Sequence, residues 1–201
     1  MISSLRADAV SEPTQAEGNI AVRKAAMHDI APILHLINGY AAKGIMLPRT
    51  EFELSESIRD FSVAVSDDQL VGCGALHFYS PTTAEIRSLA VDEAWKTHGV
   101  GRRLIESLVE EAGAFALHAV FAFTYVPEFF RRMGFQEVER GALPLKAWKD
   151  CLRCPKFQCC DEIAVMRVLR PEFWQAARLQ PLAELADGDR LISLPVIRKP
   201  L

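Results

Sequence analysis

The segment from Ala84 to Leu104, AEIRSLAVDEAWKTHGVGRRL, constrains this 201-residue chain more than any other. An apolar run, Ile86, Leu89, Ala90 and Val91, ends in an acidic turn. Lys96-Thr97-His98-Gly99-Val100-Gly101 follows, and an amphipathic helix opens at once with Arg102 and Arg103. A strand that feeds a small-residue loop opening a helix suits an anionic phosphate group. Glycines let backbone N–H groups approach the ligand, the first helical turn points its N–H groups at it, and the helix dipole favours its charge. Lys96, Arg102 and Arg103 add positive charge in the same stretch. The pattern predicts a pyrophosphate cradle, against the plainer reading of a glycine turn before a surface helix.

The type of pyrophosphate follows partly by exclusion. A dinucleotide-binding fold wants a third glycine at position 104, with an acidic residue about 20 positions on. Position 104 is Leu. A nucleotide P-loop ends in Gly-Lys-Ser/Thr, whereas Gly101 precedes Arg102-Arg103. The segment resembles the Arg/Gln-x-x-Gly-x-Gly/Ala loop of the GNAT superfamily of acyl-CoA-dependent N-acetyltransferases, with Lys96 in the place of the usual Arg or Gln. That resemblance implies acetyl-CoA as co-substrate. It implies contacts from Leu89, Ala90 and Val91 on the strand, from Lys96, Thr97, His98, Gly99, Val100 and Gly101 in the loop, and from Arg102.

The length suits one domain of ordinary size with additions. A net charge of −3 gives no basic surface for nucleic acid, so no nucleic-acid partner is expected. The first 19 residues lack a continuous apolar core and read as a flexible arm, with no leader and no membrane span. Five cysteines, an odd number, then point to a reducing compartment and a cytoplasmic protein.

Hydrophobic period and turn signals divide the rest. Residues 19–23 read as a strand, and Asp29 and Pro32 as the start of a helix. A second helix spans about 50–60, with Thr50 as N-cap and Glu53 completing a capping box. Residues 61–66 and 69–78 are strands joined at Asp67-Asp68, a hairpin signal. A strand over 84–91, a helix over 101–117 and a strand over 119–124 follow. Then come a short helix over 127–133 stopped by Gly134, and strands over 135–139 and 163–169. The order β-α-α-β-β-β-α-β-α-β-β is that of the GNAT fold. The resemblance implies an α/β domain over residues 20–169, its sheet mixed, mostly antiparallel and carrying a splayed strand pair, with helices on both faces. A cysteine-bearing insertion occupies about 146–162, and 170–201 form a C-terminal extension.

A second landmark is Phe129-Phe130-Arg131-Arg132-Met133-Gly134-Phe135. It resembles the superfamily's short helix ending in Gly-Phe beside the pantetheine arm, which places Phe130 against the cofactor and Gly134 at a left-handed helix end. Many members carry a Tyr where Phe130 stands, as the acid for the leaving thiolate. Phe130 cannot supply a proton. Three further segments, Gly44 to Thr50, Ala84 to Val91 and Leu143 to Trp148, are similar to the acetyltransferase domain of bacterial N-acetylglutamate synthases, in their short single-domain form.

Carried onto this sequence, the resemblance makes Glu85 the general base that accepts the proton of the incoming ammonium. The alternative for Glu85 is a solvated strand residue paired with Arg87. Arg49 becomes the fork that grips a carboxylate of glutamate, against an ordinary surface charge before a helix. Arg87 is either a second clamp or the counter-charge of Glu85. The backbone N–H of Leu89 or Ala90 would polarise the thioester oxygen. Thr124 and Tyr125 are the polar candidates for contacting or protonating the thiolate.

Cys151, Cys154, Cys159 and Cys160 suggest a zinc knuckle by spacing, but adjacent Cys159 and Cys160 fit one ion poorly, and no metal is expected. His77, His98 and His118 are isolated. The reading is an acetyl-CoA-dependent transferase acting on an amino acid, taken as L-glutamate at the first step of arginine biosynthesis. Another amine acceptor and a non-catalytic acyl-CoA sensor are its rivals. Oligomeric state stays open, a homodimer being the form considered.

Overall fold

In the computed structural model the described residues are 19–140, 143, 152, 154–156 and 159–174. Their order is β1 (Ala21–Lys24), α1 (Ile30–Ala42), α2 (Glu51–Ser57), β2 (Phe61–Ser66), β3 (Gln69–Phe78), β4 (Thr83–Val91), α3 (Val100–Ala114), β5 (Ala119–Thr124), α4 (Pro127–Arg132), β6 (Gln136–Glu137) and β7 (Ile163–Val168), as the sequence predicts. The strands form a seven-stranded sheet in the order β1-β2-β3-β4-β5-β7-β6. The pairs β1–β2, β5–β7 and β6–β7 are antiparallel, and β4–β5 is parallel. The register of β4 on β5 covers Thr83–Glu85 against Ala119–Phe121. It stops there, although β4 runs to Val91 and β5 to Thr124. That is the splayed pair. No helix among the described residues is long and apolar enough to cross a membrane.

The described residues divide into two compact units, one holding 19–74 with Ser88–Leu104, the other Ala75–Arg87 with the described residues from Ile105 on. In the first unit, Asp29 is buried and takes two bonds from the Arg23 guanidinium, at 2.7 and 2.9 Å, and a third from the Ala26 N–H at 2.7 Å. These donors hold its carboxyl below the usual range, the guanidinium most of all. Thr50 and Glu53 form the predicted capping box: the Glu53 N–H donates to Thr50 Oγ1 at 3.2 Å, and the Thr50 N–H to Glu53 Oε2 at 2.9 Å. Asp67 and Asp68 both have positive φ, 47° and 62°, as a two-residue turn of type I′ requires.

The start of α3 is buried. Val100 and Leu104 pack with Ile20, Ala64 and Val71, and half-buried Leu89, Val91 and Trp95 lie against that cluster. Gly72 of β3 makes this approach possible. A Cβ at Gly72 would lie 2.8 Å from Val100 Cγ1, 3.1 Å from Leu104 Cδ1 and 3.2 Å from the Ala90 carbonyl oxygen. Only a residue without a side chain lets the helix sit so close.

In the second unit, β5 pairs with β7 over six residues, from Ala119↔Val168 to Thr124↔Ile163. Ala119, Phe121, Leu143, Ala164 and Met166 form its core cluster, with Tyr79, Phe123, Val138 and Trp174 packed on it. Helix α3 ends at Ala114, three residues before the predicted Leu117. Ala116 takes φ 59°, while the N–H groups of Ala116 and Leu117 bond the carbonyls of Gly113 and Ala112 at 2.9 and 3.0 Å. This is a Schellman ending built on alanine, so no glycine marks it. Leu117 is buried and prolongs the apolar spacing beyond the helix. Gly134 closes α4 in the same manner, with φ 82°.

Replacing Gly72 with Ala should lower stability by about 1–3 kcal/mol, the usual cost of overpacking a close contact. Gly113, inside α3 with nothing within 4 Å of an added Cβ, is the control. Gly113→Ala should stabilise by about 0.4–1 kcal/mol. Urea denaturation of both variants checks the contrast.

Candidate active site

The loop after β4 is organised by its own backbone. Asp92 donates its N–H to the Val71 carbonyl at 2.9 Å, and its carboxylate accepts from the Ala94 N–H at 2.9 Å. A single 3-10 turn over Glu93–Trp95 follows, and the His98 N–H bonds the Trp95 carbonyl at 3.1 Å. Gly99 has φ 74°, a conformation costly for any residue with a side chain, and it turns the chain into α3. The Arg103 N–H reaches the Gly99 carbonyl at 3.1 Å. The N–H groups of Val100 and Gly101 precede that bond and have no acceptor within the helix. No acidic residue occupies the first turn of α3. Fifteen residues of helix stand behind those N–H groups, a suitable seat for a phosphate.

Side-chain charge contributes less than the sequence suggests. Lys96 pairs with Glu93 at 2.9 Å, and Lys43 reaches the same carboxylate at 3.1 Å. Both ammonium groups also lie over the Tyr40 ring, 5.1 and 5.3 Å from its centroid. The Glu93 carboxylate raises the Lys96 pKa, keeping it charged, but also offsets that charge locally. Arg103 is committed elsewhere, donating to the Ile20 carbonyl at 2.9 Å. Arg102 is exposed, His98 packs its ring 5.3 Å from that of Trp95, and Thr97 Oγ1 lies 3.5 Å from His98 Nδ1.

The same unit carries Leu89, Ala90, Val91 and Arg49. Leu89 and Val91 are half-buried and Ala90 is buried. Ser88, immediately before them, has φ 53° inside β4. A non-glycine residue in that region of backbone space bends the strand and is costly, as at a bulge beside a site. The buried Cys73 thiol donates to the Ser88 carbonyl at 3.7 Å, and burial pushes its pKa up to about 12, so this thiol is inert. Val91 is tied back by the Tyr40 hydroxyl, which donates to its carbonyl at 2.6 Å. Arg49 is half-buried, and its backbone is clamped twice by Asn38 of α1. Asn38 Nδ2 donates to the Arg49 carbonyl at 3.0 Å, and the Arg49 N–H donates to Asn38 Oδ1 at 2.9 Å.

Glu85, Arg87, Thr124, Tyr125 and Phe130 belong to the second unit. Glu85 is buried, 8% exposed. Its carboxylate accepts a bond from the Tyr79 hydroxyl at 3.0 Å. Arg87 is half-buried two residues on. Thr124 is buried, its hydroxyl oxygen accepting from the Val126 N–H at 3.0 Å. Tyr125 is exposed. Its hydroxyl accepts from Lys156 Nζ at 3.2 Å, and the ammonium also lies 4.9 Å from its ring centroid. Lys156 in turn meets Asp161 at 3.3 Å. Phe130 is buried between Phe129 and Phe135, with ring centroids at 5.4 and 5.2 Å and edge-on geometry.

The geometry can be set beside known proteins. An acetyltransferase (GNAT) domain model matches residues 57–137. An uncharacterized N-acetyltransferase of Chlorobaculum tepidum is 43% identical over 148 residues, covering 74% of this chain and 96% of that protein. The chain belongs to the GNAT acetyltransferase family. An amino-acid acetyltransferase of Mycobacterium tuberculosis is 40% identical over 135 residues, covering 66% of this chain and 77% of its own. The N-acetylglutamate synthase of Neisseria gonorrhoeae, complexed with coenzyme A and N-acetyl-glutamate, superposes with a TM-score of 0.69 at 29% identity. The match covers 75% of this chain and 35% of that one. As a GNAT enzyme, this protein uses acetyl-CoA as its acetyl donor.

Four features of this acetyltransferase escape the sequence reading. Tyr79 as partner of Glu85, Asn38 as clamp of Arg49, and Lys156 on Tyr125 are tertiary contacts across 6, 11 and 31 residues, and no local pattern announces them. The bend at Ser88 falls on a residue type with no preference for positive φ. Among the cysteines, Cys151 lies outside the described residues. Cys154, Cys159 and Cys160 carry free thiols, and Cys160 Sγ sits 3.0 Å from Arg140 Nη2. Among the described residues no group of three or more His, Cys, Asp or Glu is placed to hold a metal.

Tyr125 keeps its proton well above neutral pH. Its partial covering by neighbouring atoms raises its pKa first, the Asp161 and Glu162 carboxylates add to the rise, and the Lys156 ammonium works against it by favouring the phenolate. Replacing Lys156 with Met should therefore move the Tyr125 titration to still higher pH. Phenolate absorbance of parent and Lys156→Met, each compared with its Tyr125→Phe counterpart, isolates this one of three tyrosines.

Proposed function

We propose that this protein transfers the acetyl group of acetyl-CoA to the α-amino group of L-glutamate, giving N-acetylglutamate and coenzyme A at the first step of arginine biosynthesis. The observation that carries the acceptor is the two-point clamp of Asn38 on the Arg49 backbone. It fixes the root of an arginine in the loop before α2, and a guanidinium fork matches a carboxylate in two parallel bonds. The likeness to an N-acetylglutamate synthase complexed with N-acetyl-glutamate supports the same acceptor.

In this reading the pyrophosphate of acetyl-CoA sits on the N–H groups at the start of α3, with Gly99 and Gly101 keeping the approach clear. Glu85 takes one proton from the ammonium of the acceptor. The freed amine adds to the thioester carbonyl, and the N–H of Leu89 or Ala90 receives the developing oxyanion. Collapse breaks the carbon–sulfur bond, and the nitrogen gives up its second proton to solvent as the amide forms. Tyr125, whose phenol stays protonated, gives the thiolate its proton in place of the tyrosine that Phe130 replaces.

Removing the Arg49 side chain, as in Arg49→Ala, should cost about 30-fold in kcat/KM for glutamate, the loss expected for one charge-assisted contact. The Michaelis constant for acetyl-CoA should stay as it was. Arg49→Lys should recover part of the loss, since an ammonium keeps the charge but not the fork. Unchanged glutamate kinetics in Arg49→Ala would remove glutamate as the acceptor.

The cradle has its own check. Gly101→Val places a branched side chain on the first turn of α3 and should raise the acetyl-CoA Michaelis constant at least tenfold in a protein with parental thermal stability. A folded variant with parental affinity would show that the pyrophosphate binds elsewhere.

A further inference from the structure

We propose that Tyr79 is a positioning residue for the acetyl transfer, acting through Glu85; this rests on Glu85 being the general base. The Tyr79 hydroxyl donates to Glu85 Oε2 at 3.0 Å. A carboxylate that has to accept a proton from a bound amine must present one oxygen to it. A donor fixed on the other oxygen leaves fewer orientations to search.

The hydroxyl is held in place by a short, well-bonded turn. The N–H groups of Tyr79 and Ser80 both donate to the Thr83 carbonyl, at 3.1 and 3.3 Å. Ser80 Oγ accepts from the N–H groups of Thr82 and Thr83 at 3.2 and 3.0 Å and shares a bond with Thr83 Oγ1 at 2.8 Å. Tyr79 is the first residue after β3, and the turn it opens leads into β4, which carries Glu85 two residues past Thr83. The ring is packed independently of its hydroxyl. It lies 5.8 Å from the Phe121 ring, edge-on to His77 at 5.0 Å, and against the core cluster of the second unit. Phe121 is the register partner of Glu85 on β5. Core packing therefore sets the ring, and the ring sets the hydroxyl on the carboxylate.

That separation allows a clean test. Tyr79→Phe keeps the ring and its packing and removes only the donor. Turnover and Michaelis constants are measured for the parent, Tyr79→Phe, Glu85→Gln and the double variant, with thermal melting on each. The expected result is a fall in kcat of about tenfold in Tyr79→Phe, with the acetyl-CoA Michaelis constant unchanged. No further fall should follow when the same change is made in Glu85→Gln, because the residue through which Tyr79 acts has already lost its function.

Parental kcat in Tyr79→Phe overturns the inference, as does an equal loss in both backgrounds, which would mean that the hydroxyl acts without Glu85. A rise in the acetyl-CoA Michaelis constant matching the loss in melting temperature would make Tyr79 merely structural. If Glu85→Gln itself keeps parental turnover, the general-base reading fails and the positioning role falls with it. A crippled Glu85→Gln beside a parental Tyr79→Phe sinks the positioning role alone.

Discussion

The close approach of α3 to β3 at Gly72 is the contact on which the proposed donor site depends. Val100 and Leu104 reach the strand only because no Cβ stands in the way, and the helix then presents its first N–H groups from a fixed place. The adjoining loop is held by backbone bonds from Asp92 and His98 together with the Asp92 carboxylate on the Ala94 N–H. A phosphate seat made of backbone donors on a packed helix costs little reorganisation when the ligand arrives. Lys43 and Lys96 share one carboxylate, which leaves the helix terminus as the better-defined source of positive potential.

Strand β4 carries the residues proposed for the other half of the chemistry along one stretch of chain. Its first part is in parallel register with β5 and bears Glu85, buried and bonded to Tyr79. Ser88 then takes a left-handed conformation, and Leu89 and Ala90 follow with the N–H groups assigned to the oxyanion. The end of the register and the bend at Ser88 are the kind of local exception that functional sites retain against the cost of strain.

Much of the fold was legible because it is written in local rules. Thr50 with Glu53 marked α2, Asp67-Asp68 marked the hairpin of β2 and β3, and Gly134 marked the end of α4. Each works through bonds within a few residues. The end of α3 was misread because Ala116 adopts a conformation that glycine usually signals, while Leu117 keeps the apolar spacing. The residues proposed for the site, the glycine loop with Glu85, Arg49 and Tyr125, were picked out from the sequence as residue types. Their partners were not, since Asn38, Tyr79 and Lys156 are brought in by tertiary packing. Nor could charge counting foresee that Glu93 would take up Lys96.

The central claim is that an acetyl group passes from coenzyme A to glutamate. The most direct measurement is release of free coenzyme A thiol from acetyl-CoA by the full chain, with each of the twenty amino acids and a polyamine offered separately, and mass analysis of the product. Release with L-glutamate well above every other acceptor, giving N-acetylglutamate, is the predicted result. Release with a polyamine or another amino acid, and none with glutamate, would contradict it.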